Sequence, residues 1–161
     1  METIITAATV MAMYFNVAKT NVGNYYYNAD VENGKVVSIN VYDDFNKNLS
    51  QKLQYRFTYD DENRLSSREA LKWNSRTQRW ENYYALDYAY TDQGYTLSRR
   101  EWDGKKNVYG EVDEKMVYEN ISGEVMALNC YKKSEKGGMK LAYNMLVMHP
   151  QGDMLLADIC K

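Results

Sequence analysis

The chain has 161 residues, 45% of them apolar, a net charge of −2, and one proline and one histidine. That length is enough to bury a core, and that composition excludes a disordered chain. The charge balance excludes the basic footprint of a default nucleic-acid binder. Arg76, Arg79, Arg99 and Arg100 all have acidic neighbours and read as solvated strand faces.

Sixteen Tyr stand against three Phe. Tyr suits half-buried strands, where the ring packs and the hydroxyl reaches water. The first apolar window runs from Thr3 to Ala18. Its length suits the hydrophobic region of a signal peptide and is short for a membrane span. Against that reading, Glu2 replaces the usual basic residues and no clean cleavage site follows. The other reading makes residues 1–20 an ordinary first strand or helix. If the segment is a signal, the mature chain begins near Lys19 and Asn21 and is exported. Residues 21–161 form a single β-hairpin-repeat domain on either reading.

Asn33-Gly34 is a two-residue turn signal, because both residues tolerate positive φ. Val37, Ile39 and Val41 then alternate with polar partners. Residues 43–48 read as a polar loop. From Lys52 to Asp60 the alternation is cleanest, with Leu53, Tyr55, Phe57 and Tyr59 on one face. Residues 60–63 turn the chain, 64–73 return it, and 74–78 make a second loop. Trp80, Tyr84, Leu86, Tyr88 and Tyr90 mark the next apolar face. After the turn at Asp92-Gln93-Gly94, a strand closes on Trp102, and residues 103–107 turn again. Val108–Tyr118 is a long strand in which Gly110 marks a bulge. Gly123 turns it into 124–131. Met139–Met148 is almost continuously apolar, which predicts a central strand covered on both faces. His149–Gly152 is a turn, and residues 153–160 make a last strand.

The units recur every 28 to 31 residues, counted from their turn residues and preceding aromatics. That period marks a supersecondary repeat. The fold class is therefore all-β, an antiparallel meander of about five hairpins, curled or folded into two layers. Odd offsets after the turn glycine mark the core face: Val37, Ile39 and Val41, then Met126, Leu128 and Cys130, then Leu155, Ala157 and Ile159. Offset eight (Tyr42, Trp102, Tyr131, Cys160) points to the opposite face unless a bulge intervenes. Cys130 and Cys160 then sit on opposite faces of strands about 9–10 Å apart, beyond disulfide reach, so both are expected as free thiols.

Phe57-Thr58-Tyr59-Asp60-Asp61-Glu62-Asn63-Arg64-Leu65 resembles the tyrosine-aspartate repeat of Rhs and teneurin-type proteins, Y-x-Y-D-x-x-G-R-L. Phe57 replaces the first Tyr and Asn63 the Gly. Residues 88–94 and 116–120 are looser copies, and the period here is longer than in those proteins. The chain as a whole resembles small exported proteins of gut Bacteroidetes that carry only a domain-of-unknown-function label. That resemblance implies an all-β fold and a periplasmic or surface location, and it brings no catalytic residues.

No phosphate loop, nucleotide fingerprint or zinc motif is present, and His149 has no partner at ligand spacing. No cofactor, metal or catalytic residue is expected. The candidate ligand surface is the recurrent aromatic set Tyr42, Trp73, Trp102 and Tyr131, suited to a glycan, peptide or partner strand. Such aromatics equally serve to cover neighbouring hairpins. The leading function is a non-catalytic exported binding or structural module. The alternatives are a carbohydrate-active enzyme using turn carboxylates such as Asp43/Asp44 or Asp60/Asp61, and a protein that self-associates through sheet edges.

Overall fold

The computed structural model describes residues 4–20, 24–45, 47–123 and 125–148. One helix, α1 (Ala7–Thr20), precedes nine strands: β1 (Tyr25–Glu32), β2 (Lys35–Phe45), β3 (Asn48–Tyr59), β4 (Leu65–Asn74), β5 (Arg79–Thr91), β6 (Gly94–Asp103), β7 (Val108–Ser122), β8 (Val125–Lys133) and β9 (Met139–Met148). The strands belong to one sheet and follow chain order from β1 to β9. The expected all-β antiparallel meander is what forms. Among the described residues the layer packed over β1 and β2 is α1 rather than a second sheet. His149, Pro150, Cys160 and the last expected strand lie outside the described residues.

The chain divides into two units, Thr6–Tyr84 and Met1–Ile5 with Ala85–Lys161. In the first, Thr6 caps α1: its Oγ1 accepts from the Thr9 backbone N–H at 3.3 Å, and Thr9 Oγ1 accepts from the Thr6 N–H at 3.3 Å. This reciprocal pairing satisfies N–H groups that a helix start leaves open. Ala7, Val10 and Met13, three residues apart, bury one stripe of the helix. The sheet residues of this core are Val36, Ile39, Val41, Tyr55, Phe57, Leu65 and Ala70. Each large apolar side chain buried there contributes about 1.5–3 kcal/mol.

Bulges decide which residues reach this core. The β1–β2 pairing runs from Asp30↔Ser38 to Val31↔Val36, which leaves Val37 as an extra residue. One extra residue reverses the facing of everything beyond it. Val36 is therefore buried, and Val37, expected in the core, is half-buried. The pairing Thr58↔Ser67, Tyr59↔Leu65 does the same on β4. It puts Leu65 and Arg68, three residues apart, on the face shared by Tyr55 and Phe57. Of the expected loop at 43–48, residues 43–45 belong to β2, and β2 and β3 pair as far as Phe45↔Asn48.

The 60–65 turn shows why its residues take this order. Asp60 Oδ1 accepts the backbone N–H groups of Glu62 and Arg64, and Oδ2 accepts from Arg64 Nε at 2.8 Å. Asn63 takes φ +61, the conformation a glycine would otherwise supply. Its carbonyl accepts from the Ala7 N–H at 3.0 Å and so seats the start of α1.

In the second unit the core face carries two rows across β6, β7 and β8, Tyr95–Tyr118–Leu128 and Leu97–Met116–Cys130, and one across β7 and β8, Asn120–Met126. Met126, Leu128 and Cys130 are all buried, as their odd offsets predict. Leu86 and Tyr88 of β5 are also buried. The Tyr95 and Tyr118 rings stack at 4.6 Å, and burial pushes both hydroxyls well above the usual tyrosine range. The Gly110 bulge forms where expected, between Arg100↔Val112 and Trp102↔Tyr109.

The reading of β9 as a central, doubly covered strand is corrected. Leu141, Tyr143, Met145, Leu146 and Met148 are all more than 40% exposed, and β9 is last in the order of the described strands. An apolar run reports that a strand suits a covered position, not that the described chain supplies the cover.

Candidate functional site

Two hairpin ends share one construction. In the first, Asn74 Oδ1 accepts the backbone N–H groups of Arg76 and Thr77, and Gln78 takes φ +51. In the second, Asp103 Oδ1 accepts those of Lys105 and Lys106, and Asn107 takes φ +56. Asn and Asp favour such turns because their short side chains reach the backbone two residues on. Each turn is flanked by an edge-to-face aromatic pair seven positions apart: Trp73 on Trp80 at 5.2 Å, and Trp102 on Tyr109 at 4.9 Å. The second pair also carries a cation, Arg100 on Tyr109 at 5.3 Å, whereas Lys72, next to Trp73 in sequence, lies on Tyr83 at 3.3 Å.

All four aromatics singled out in the sequence are half-buried. Trp73 and Trp102 hold the equivalent hairpin ends. Tyr42 pairs with Tyr26 and Gln51, next to Lys52, whose Nζ donates to the Tyr25 hydroxyl at 2.7 Å. Tyr131 lies opposite Lys115, which pairs with Ser98, four positions along β6 from Trp102. Tyr131 and Trp102 thus share the face opposite the core of their unit, well apart along the strands. Tyr42 and Trp73 belong to the other unit.

The second hairpin end adds a concave surface. A shallow depression of about 580 Å³ is lined by Asp103, Lys106, Val108, Tyr109, Gly110, Glu111 and Lys133. Lys133 Nζ donates to Glu111 Oε2 at 2.6 Å, and this bond holds the Glu111 carboxyl below its ordinary value. The backbone N–H of Lys106 does most to lower Asp103. Tyr109 gives the depression an aromatic wall with Trp102 against it. The lining offers stacking and charged hydrogen-bonding groups of both signs, and its two carboxyls are held ionised.

The turn carboxylates have structural partners. At Asp60, desolvation works upward, but the bonds from Arg64 and Glu62 prevail and hold the carboxyl low. Burial raises Asp113 against the opposing pull of Arg99, whose guanidinium it accepts at 2.5 Å. Arg99 and Arg100 are not simply solvated: Arg99 bridges Asp113 and Glu101, and Arg100 bonds both oxygens of Asp87. No group of metal-ligating side chains occurs among the described residues. No described helix is long and apolar enough to cross a membrane.

The sequence reading missed Arg68. It is 1% exposed, with its guanidinium 4.9 Å from the Tyr55 ring and Nη2 donating to the Tyr84 hydroxyl at 3.1 Å. No period-two count could find it, because the bulge before it changes its face. Cys130 is a free, buried thiol that donates to Glu114 Oε1 at 3.2 Å. Its expected partner in freedom, Cys160, lies outside the described residues.

The model of a family of unknown function, DUF3836, matches residues 1–120. The chain belongs to this family. A DUF3836 protein from Bacteroides vulgatus is 34% identical, with 54% of this chain and 89% of that one covered at a TM-score of 0.52. A protein of unknown function from Bacteroides fragilis is 18% identical over 80% of this chain and 95% of that one, at 0.68. A DUF3836 protein from Parabacteroides distasonis is 23% identical over 78% and 90%, also at 0.52. The last two likenesses concern the fold. Comparison with curated proteins finds no match. The sequence resemblance to small Bacteroidetes proteins of unknown function thus agrees with these DUF3836 relatives.

Proposed function

We propose that this DUF3836 protein is a non-catalytic, exported binding module whose ligand site is the depression beside Trp102 and Tyr109. The observation that carries the reading is the aromatic pair bordering a concave surface of paired acids and lysines. Such a lining suits a glycan: the ring stacks on a sugar face and fixed charges bond its hydroxyls. A glycosidase acting at this depression would need one carboxyl kept protonated as a general acid. Asp103 and Glu111 are instead both held low. We also propose that the 57–65 hairpin is a tyrosine-aspartate-type unit, since Asp60, Asn63 and Arg64 act together in its turn.

The test is titration of intrinsic tryptophan fluorescence against a panel of soluble oligosaccharides and polysaccharides. A ligand that binds wild type should bind Trp102→Ala at least tenfold more weakly, with the circular dichroism spectrum unchanged. Equal binding by the variant removes this site.

Export rests on the apolar stretch Thr3–Ala18. A second reading, in which α1 is retained, is favoured by the burial of Val10 and Met13 against the sheet. The intact mass of the protein recovered from its native host separates them: loss of about 20 residues supports export by cleavage, and a full-length mass supports the retained helix.

A further inference from the structure

We propose that the lysines of the β8–β9 hairpin form an anion subsite, and that the ligand is an acidic polysaccharide whose carboxylate or sulfate groups bind there. This deepens the reading above and rests on it for the ligand class. It uses the turn and the side chains of the hairpin and asks nothing of the outer edge of β9.

Three observations carry it. The first is charge. The chain has a net charge of −2, yet a second depression, of about 410 Å³, is lined by Lys132, Lys133, Lys136 and Lys140 with Glu135 as its one acid. Of the four lysines, Lys133 alone has an ion pair among the described residues, with Glu111. Lysine is a flexible point charge that suits carboxylate, sulfate and phosphate oxygens.

The second is register. Lys132 stands directly opposite Lys140 in the β8–β9 pairing. Like charges placed so destabilise a sheet. On its other side Lys132 faces Glu114 of β7, whose Oε1 also accepts from the Cys130 thiol at 3.2 Å. One carboxylate offsets one of the two lysines, and the hairpin keeps a positive charge that a bound anion would balance.

The third is continuity. Lys133 lines this depression and also the one beside Tyr109. Strand alternation puts Lys133 on one face of the sheet and Lys132 and Lys140 on the other. A ligand that reaches from the aromatic wall to the lysine pair therefore passes over the end of the hairpin. The turn there is low, since nothing lies within 4 Å of a Cβ built at Gly137 or Gly138. Asp103 and Glu111 repel acidic groups from the first depression. An uncharged sugar then stacks on Tyr109 while an acidic one lies at the lysines. A lipid surface fits less well, because the turn Ser134–Gly138 carries no apolar side chain to enter a bilayer.

The experiment titrates the full chain with polygalacturonate and with chondroitin sulfate, and with dextran as the uncharged control, by calorimetry. Salt is held at about 150 mM, where charges more than ~8 Å apart are largely screened. At least one acidic polymer should bind, at least tenfold more tightly than dextran. Lys132→Gln with Lys140→Gln should weaken it at least tenfold without lowering Tm, because the pair removed is repulsive. Lys47→Gln with Lys115→Gln, exposed and outside this depression, changes the net charge equally and should stay within threefold. Failure of both acidic polymers to bind overturns the proposal. So does an equal loss in the two double variants, which would mark general charge attraction, or tighter binding to phosphatidylglycerol vesicles than to either polymer. Trp102→Ala separates this proposal from the reading it rests on. Binding lost in Trp102→Ala but kept in the Lys132/Lys140 variant overturns the anion subsite alone. Binding kept in Trp102→Ala but lost in the lysine variant supports the subsite and removes the aromatic depression.

Discussion

Replacing Gly94 by alanine tests how closely β6 and β7 are fitted. Gly94 begins β6 with φ +155 and pairs with Glu119. A Cβ built there lies 2.0 Å from the Tyr118 carbonyl oxygen and 2.9 Å from its carbon. Both are backbone atoms, so no side chain can rotate away and the strands must separate. Separation strains the adjacent bond from the Asn120 N–H to the Gln93 carbonyl, 2.7 Å long, and the Tyr95–Tyr118 stack beyond it. Overpacking costs about 1–3 kcal/mol, the glycine-type backbone about 1–3 kcal/mol, and the hydrogen bond about 1 kcal/mol. We expect a loss of about 4 kcal/mol, or a Tm fall of about 8–16 °C at 2–4 °C per kcal/mol. Gly34→Ala and Gly123→Ala are the controls: each has positive φ but nothing within 4 Å of the new Cβ. They should cost only about 1–2 kcal/mol. Urea and thermal unfolding measure all three. If Gly94→Ala falls within 1 kcal/mol of Gly34→Ala, the close approach does not govern this hairpin.

Arg68→Ala should destabilise by about 3 kcal/mol, since it removes a long buried side chain, whereas Arg76→Ala, on an exposed turn, should stay within about 0.5 kcal/mol. Urea unfolding of the two checks this, and equal effects would contradict a core role for Arg68. Asp60 has a lowered folded pKa, so its contribution to stability is complete above its unfolded pKa and fades as pH falls through the lower folded value. Asp60→Asn should therefore lower Tm at pH 7, and its gap from wild type should narrow below about pH 4; a gap constant between pH 7 and pH 3 would contradict the ionised turn. Burial raises the Cys130 thiol above its ordinary value. In the Cys160→Ser protein it should react with a thiol reagent at pH 7 at a rate set by unfolding, many-fold slower than in urea; equal rates would show an accessible thiol.

The hairpin order, the turns at Asn33-Gly34 and Asp92–Gly94, the face Tyr55–Phe57, and the buried set Met126, Leu128 and Cys130 all follow from the sequence. Period-two alternation and turn chemistry are local, and they survive wherever a strand stays regular. Trp73 and Trp102 were legible as members of the aromatic set with Tyr42 and Tyr131, but not as edge-to-face partners of Trp80 and Tyr109 across equivalent turns. That required the two strands of each hairpin to be paired. Tertiary structure decided three further matters. Bulges at Val37 and between β3 and β4 moved Val36 and Arg68 to the core face, because one unpaired residue inverts every side chain beyond it. The apolar stripe of α1, ambiguous as a sequence between export signal and fold element, lies against β1 and β2. And β9, whose composition asks for cover on both sides, is exposed on both and last among the described strands. Composition records what a strand can bury, whereas its neighbours in the sheet decide what it does bury.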